Sequence, residues 1–136
     1  MTHFFLSVLA ADRPFYIGPC SSLILPTPQG QYGVLAHHSN TIAAVVPGLL
    51  EFTLPDGQAR TAAVSSGMIK IENNEVLILV DSAERPEDID VSRAQRAADE
   101  AREQLLQKKS IMEHRTAEVS LARALNRIKI GTGKGY

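Results

Sequence analysis

The sequence predicts an α+β chain in two parts: an N-terminal antiparallel β-sandwich, or flattened barrel, over residues 1–86, and a C-terminal antiparallel two-helix hairpin over residues 87–136. Three observations predict it. All seven prolines lie at or before Pro86, and neither glycine nor proline occurs between Glu87 and Ile130. Charge density changes at the same place: Met1–Pro86 carries four basic and seven acidic residues, and Glu87–Tyr136 carries ten basic and eight acidic. The apolar pattern changes there too, from short runs between turn signals to three- and four-residue spacing.

Within the first part the strand candidates are His3–Leu9, Leu23–Leu25, Ile42–Val46, Leu49–Leu54, Arg60–Val64, Met68–Glu72 and Val76–Val80. Pro55-Asp56-Gly57 punctuates one pair. Asn73-Asn74 separates MIKIE from EVLILV, and asparagine tolerates the left-handed backbone of a tight hairpin. Ile69 and Ile71 alternate with Lys70 and Glu72, as in a half-buried strand. VLILV is apolar on both sides and reads as a central strand. An antiparallel set of this kind closes as a sandwich or flattened barrel.

Within the second part, Ala94, Ala97, Ala98, Ala101 and Leu105 recur on one helical face made mostly of small residues. Ser110-x-x-Glu113 has the form of a capping box and starts a second helix after Lys108-Lys109. That helix carries Ala117, Leu121, Ala124, Leu125 and Ile128 on one side, and Gly131, Gly133 and Gly135 end it. Two stripes joined by a short connection make a hairpin.

Composition excludes several classes. A chain of 136 residues that is 44% hydrophobic can bury a core, so disorder is excluded. A formal charge of −1 lacks the basic field that holds proteins on nucleic acid or anionic lipid. Cys20, the single cysteine, has no disulfide partner in the chain, and no Cys/His spacing fits zinc. Pro14–Leu50 holds no charged side chain over 37 residues, but its prolines and glycines break it into pieces too short to span a membrane. No basic residue precedes the apolar run near the N-terminus, which reads as a mature cytosolic start.

No catalytic constellation is evident. GTGKGY lacks the spacing and the following helix of a phosphate loop. Ser65-Ser66-Gly67 lacks a nucleophile elbow and reads as a turn. His37-His38 would point to opposite sides of an extended strand, against joint metal binding. The remaining set is Glu84, Ile89-Asp90-x-x-Arg93-Ala94, Arg123 and Arg127. Arg123 and Arg127 share one helix face, and Arg93 starts the facing helix. Their guanidiniums could converge on an anion, with Glu84 and Asp90 accepting from a base or ribose. The alternative is surface ion pairing with Asp90, Asp99 and Glu118.

These residues resemble a known family, the epsilon subunit of the bacterial and chloroplast rotary ATP synthase. Gly30-Gln31-Tyr32-Gly33-Val34-Leu35-Ala36-His37-His38 resembles the family's GExGxLPGH segment, followed at the family's distance by Pro47-Gly48. Ser65-Ser66-Gly67 resembles its SGG turn. Asp88-Ile89-Asp90 leads into a match to I/L-D-x-x-R-A, and Arg123-Ala124-Leu125-Asn126-Arg127 is similar to the closing helix. The chain departs at Gln31 for Glu, Ala36 for Pro and His37 for Gly. Glu100 stands where ATP-binding members tend to carry an arginine.

The resemblance implies a non-catalytic rotor subunit, with the sandwich on the gamma subunit and the c-subunit ring. Gln31, Tyr32, Val34, His37 and His38 are the expected docking residues. The hairpin would inhibit ATP hydrolysis through Arg115, Arg123 and Arg127 against the catalytic beta subunits. No cofactor is required, and ATP is the expected regulatory ligand of Glu84, Ile89, Asp90, Arg93, Ala94, Arg123 and Arg127. The expected location is peripheral, on the cytoplasmic face of the plasma membrane, without insertion. Two readings of other classes compete: a free-standing ATP-sensing module, and an adaptor with a sandwich head and helical tail.

Overall fold

The structure is a computed structural model and describes residues 3–106 and 111–132, with side chains described for all of these except 106 and 111–116. The chain divides into two compact units, Met1–Arg85 and Pro86–Tyr136.

Among the described residues of the first unit there are ten strands: β1 Phe4–Ala10, β2 Pro14–Cys20, β3 Ser22–Thr27, β4 Gly30–Leu35, β5 Thr41–Val45, β6 Gly48–Thr53, β7 Ala59–Val64, β8 Gly67–Glu72, β9 Glu75–Val80 and β10 Ala83–Glu84. They form two five-stranded sheets, ordered β2-β1-β9-β8-β5 and β10-β7-β6-β3-β4. The result is an open sandwich, not a closed barrel. Phe4, Leu6, Val8, Leu23, Leu25, Leu50, Phe52, Ile69, Ile71 and Ile78 fill the space between the sheets. Alternation places them there, since every second residue of a strand faces the same side.

Three strands depart from the sequence expectation, the two-residue β10 and two longer ones. β2 and β4 contain Pro14, Gly18 and Pro19, and Gly30 and Gly33, residues that read as breakers. Both are edge strands, where a proline's missing N–H leaves no ladder bond unmade. The sheet is also not wholly antiparallel, because β1 and β9 run parallel, from Phe5↔Glu75 to Ala10↔Val80. VLILV does lie in the centre of its sheet.

Turn chemistry follows the residues. Asn73 and Asn74 adopt φ of 52° and 62° between β8 and β9. Gly57 adopts φ 91° and donates its amide to Leu54 O at 2.9 Å. In the Ser65-Ser66-Gly67 turn, Ser65 Oγ accepts the Ser82 amide at 2.8 Å. A Cβ on Gly67 would stand 1.9 Å from Leu79 O and 2.7 Å from Val80 Cα. Only glycine lets those backbones meet.

The second unit begins with a 3₁₀ turn, Pro86–Asp88, followed by α1 (Val91–Leu106) and α2 (Ile111–Gly131). Asp90 Oδ1 accepts the Arg93 amide at 3.0 Å, an N-cap on α1. Ala94, Ala98, Ala101, Ala117 and Ala124 are buried between the helices. Ala97 and Leu125, expected on the packed faces, are exposed, because the stripe is only wide enough for one alanine per turn. The capping box at Ser110 and Glu113 lies outside the described residues.

Candidate functional site

The β4–β5 connection, Ala36–Asn40, is held at several points. Residue 37 must adopt a left-handed backbone, and His37 does so at φ 62°. Its N–H donates to Asn74 Oδ1 at 2.7 Å, while Asn74 Nδ2 donates to His3 O at 3.1 Å. Asn73 N–H donates to Asn40 Oδ1 at 3.2 Å. The β8–β9 turn therefore clamps this loop and the start of β1 together. The sequence showed Asn73-Asn74 only as a turn; its clamping role depends on contacts more than thirty residues away.

His38 is fixed by both ring nitrogens. Nδ1 lies 2.8 Å from Ser39 O, and Nε2 lies 2.8 Å from Tyr32 Oη. A carbonyl only accepts, so Nδ1 carries hydrogen, and in the neutral ring Nε2 accepts from the tyrosine hydroxyl. The rings meet edge to face at 5.5 Å. His37 and His38 sit on a loop, not a strand, and hold different partners; among the described residues no three metal-ligating side chains gather.

Of the residues expected to dock, Gln31 and His37 are exposed and Tyr32 and His38 half-buried. Val34 is 1% exposed and belongs to the core. Alternation directs its neighbour Leu35 outward, 65% exposed, and Ile42 beyond the loop is 70% exposed. Position parity would have found Leu35 once β4 was recognised as a strand. The loop thus presents uncharged polar groups between two apolar side chains.

The expected nucleotide residues divide between the units. Glu84 pairs opposite Ala63 at the end of β10 in the sandwich. In the helical unit, a Cβ on Gly131 would stand 2.7 Å from Val91 Cγ2 and 3.1 Å from Ile89 Cγ2, so the end of α2 lies against the start of α1. From that contact and a rise of ~1.5 Å per residue, Arg127 stands within about 3 Å of the level of Arg93, and Arg123 about 9 Å from it. Arg93 and Arg123 are exposed and Arg127 half-buried; Glu84, Arg123 and Arg127 each engage a neighbour. Asp90 caps α1, Ala94 is buried, and Ile89 packs near Gly131. These three belong to the capping and packing of the helix start, and Arg93 and Arg127 are the expected cations nearest one level along the helices. The Arg115 side chain lies outside the described residues.

Cys20 is fully buried, and its thiol donates to Ser22 O and Thr53 O at 3.0 and 3.3 Å. Burial pushes its pKa up and those bonds lower it only in part, so it is an unreactive packing group.

The fold and these sites define a two-module protein: a sandwich with a rigidly held, uncharged loop and a lightly packed helical hairpin. A family model for the ATP synthase delta/epsilon chain β-sandwich domain matches residues 3–86, and one for the delta/epsilon chain long α-helix domain matches residues 87–131. The ATP synthase epsilon chain of Ruminiclostridium cellulolyticum is 41% identical over 94% of this chain and 95% of its own length. That of Caldanaerobacter subterraneus is 41% identical over 95% and 94%. A chain in the Euglena gracilis mitochondrial ATP synthase structure of OSCP, F1 and c-ring superposes with a TM-score of 0.78 at 25% identity, over 91% of this chain and 78% of that one. This chain belongs to the ATP synthase delta/epsilon chain family, as an epsilon-type subunit.

Proposed function

We propose that this chain is a non-catalytic rotor subunit whose sandwich docks on the gamma subunit and the c-subunit ring, coupling ring rotation to ATP synthesis. The carrying observation is the β4–β5 loop, held by Asn74 and by the Tyr32–His38 bond. A loop that transmits torque needs rigidity, and the core of a lasting interface is depleted of charge. His37 offers hydrogen bonds to the ring between Leu35 and Ile42, and Gln31 offers another from the far end of β4. No helix among the described residues is long and apolar enough to cross a membrane, and the reading places the chain peripherally, at the cytoplasmic membrane face, through its partners.

The helical unit acts in this reading as a brake on ATP hydrolysis, reaching the catalytic beta subunits through Arg115, Arg123 and Arg127. Its packing is suited to a change of state. Among the described residues its buried side chains are five alanines and Ile130, and at ~0.8 kcal/mol per buried CH2 such small groups gain only a few kcal/mol over alternatives. A ligand at about one hundred times its Kd adds ~2.7 kcal/mol to the state it binds. ATP held by Arg93 and Arg127, with Arg123 farther along α2, would therefore shift the population of the folded hairpin. Glu100, exposed on α1, withholds one cation from that site.

Size-exclusion chromatography with and without purified gamma tests the rotor reading. Co-elution supports it. A monomer that ignores gamma but binds ATP is a free-standing sensor, and one that does neither is an adaptor for another partner.

A further inference from the structure

His38 is anchored three times, and only one of the anchors depends on its protonation state. Its backbone N–H donates to Leu35 O at 3.3 Å, its Nδ1 lies 2.8 Å from Ser39 O, and its Nε2 lies 2.8 Å from Tyr32 Oη. Ser39 O also accepts the Thr41 hydroxyl at 2.9 Å, so that carbonyl is a fixed acceptor at the base of the loop. The Nδ1 hydrogen is therefore committed, and the neutral ring offers only a lone pair at Nε2. The single hydroxyl hydrogen of Tyr32 is spent on that lone pair.

A proton added to Nε2 reverses the bond. The imidazolium carries hydrogen on both nitrogens, so Nε2 becomes the donor and Tyr32 Oη the acceptor. The bonds to Leu35 and Ser39 persist, because neither uses Nε2. The loop keeps its shape while the Tyr32 hydroxyl hydrogen is released from His38 and the loop gains one positive charge. Imidazole is the side chain whose charge changes in the physiological pH range.

Charge around the pair is sparse. Pro14–Leu50, which includes β3, β4 and β5, contains no Asp, Glu, Lys or Arg, and the residue opposite Tyr32 on β3 is Leu25. The other titratable groups on the elements that hold the loop are His37 beside it and His3, whose carbonyl shares the Asn74 side chain. Glu72 and Glu75 flank the Asn73-Asn74 turn and are exposed, with Lys70 bonded to Glu72 at 3.1 Å. The added charge thus has no counter-ion within its own segment.

We propose that Tyr32 and His38 form a proton-operated switch. It converts the β4–β5 loop from an uncharged surface into one presenting an imidazolium and a free phenol donor, and so strengthens its hold on a carboxylate or carbonyl of the subunit docked there. The docking step rests on the rotor reading; the switch belongs to this chain alone.

NMR of the full chain, labelled with nitrogen-15 and carbon-13 and titrated from about pH 8 to about pH 5, tests the switch. At the alkaline end His38 should carry its hydrogen on Nδ1. As the ring gains its second proton, the Tyr32 Cζ shift should follow it, and the exchange protection of the His38 amide should hold. In His38→Gln the Tyr32 Cζ signal should stay flat while His3 and His37 still titrate. Hydrogen on Nε2 in the neutral ring, or a Tyr32 Cζ that ignores the His38 titration, overturns the switch. So does a loss of His38 amide protection by about tenfold or more on acidification, since the loop then opens instead of reversing one bond.

Affinity for the purified c-subunit ring at the two ends of the titration tests the docking step. Wild type should bind about tenfold tighter at the acid end, the scale of one charged hydrogen bond, and His38→Gln should lose that difference. If both proteins show the same pH dependence, the docking step is overturned. If wild type binds the ring at neither pH while the NMR signature is present, the docking step and the rotor reading fall and the switch stands.

Discussion

The backbone N–H of His37 and the side-chain oxygen of Asn74 meet at 2.7 Å, although 37 residues separate them in sequence. The hydrogen bond joins the loop after β4 to the β8–β9 turn, and the same Asn74 side chain reaches His3 O. One residue therefore sets the position of the loop that carries His37 and His38. Asn74→Gly keeps the φ of 62° available but deletes both side-chain bonds. It should cost ~1–2 kcal/mol in urea unfolding and speed hydrogen exchange at the His37 amide.

His37 holds a left-handed backbone that the family's usual glycine adopts without strain. His37→Gly should leave stability within ~1 kcal/mol of wild type or raise it, and His37→Val should lower it by ~1–2 kcal/mol. Thermal unfolding of the pair, compared with wild type, checks the sign.

Gly67→Ala places a methyl group 1.9 Å from the Leu79 carbonyl oxygen. Backbone cannot yield as a side-chain tip does, so the loss should reach ~3 kcal/mol or more, the upper end for overpacking. A shift of the sandwich melting transition with α-helical signal retained is the expected result.

Asp90 separates a structural role from a ligand role. Asp90→Asn keeps an N-cap acceptor and should leave helix content unchanged, whereas Asp90→Ala should cost ~1 kcal/mol of helix stability. If ATP binding survives in Asp90→Asn but falls about tenfold or more in Arg93→Ala, the carboxylate caps α1 and the guanidinium holds the anion. Circular dichroism and titration calorimetry on the same samples read both quantities.

Cys20 supplies a pH prediction. Its folded-state pKa is raised by burial, so the unfolded chain loses the thiol proton first. The stability is complete below the ordinary thiol value of ~8.5 and is lost as pH rises above it. Cys20→Ala removes that slope. In wild type at neutral pH, a thiol reagent should label Cys20 only as fast as the sandwich opens.

The sandwich and hairpin were legible because their information is local: strand alternation around Ile69 and Ile71, the Asn-Asn turn, and alanines at helical spacing. β2 and β4 escaped because Pro14, Pro19, Gly30 and Gly33 look like breakers unless the strands are known to be edges, and edge position is a tertiary fact. The parallel β1–β9 pairing is likewise invisible in either strand alone. Gln31, His37 and His38 could be picked out by motif resemblance, but Val34 and Leu35 exchange roles once strand parity is fixed. Asp90 shows the same limit: its motif position marks it for a ligand, while its N-cap on the Arg93 amide is a contact that only the fold displays.

The division of labour between the two units is tested most directly by steady-state ATP hydrolysis of the purified synthase carrying Met1–Pro86 in place of the full chain. The account predicts that the truncated chain stays in the complex, that hydrolysis rises severalfold when the electrostatic hold of the arginine-bearing helix is gone, and that coupled synthesis persists. A truncated chain that stays bound while hydrolysis remains at the full-length rate would contradict it.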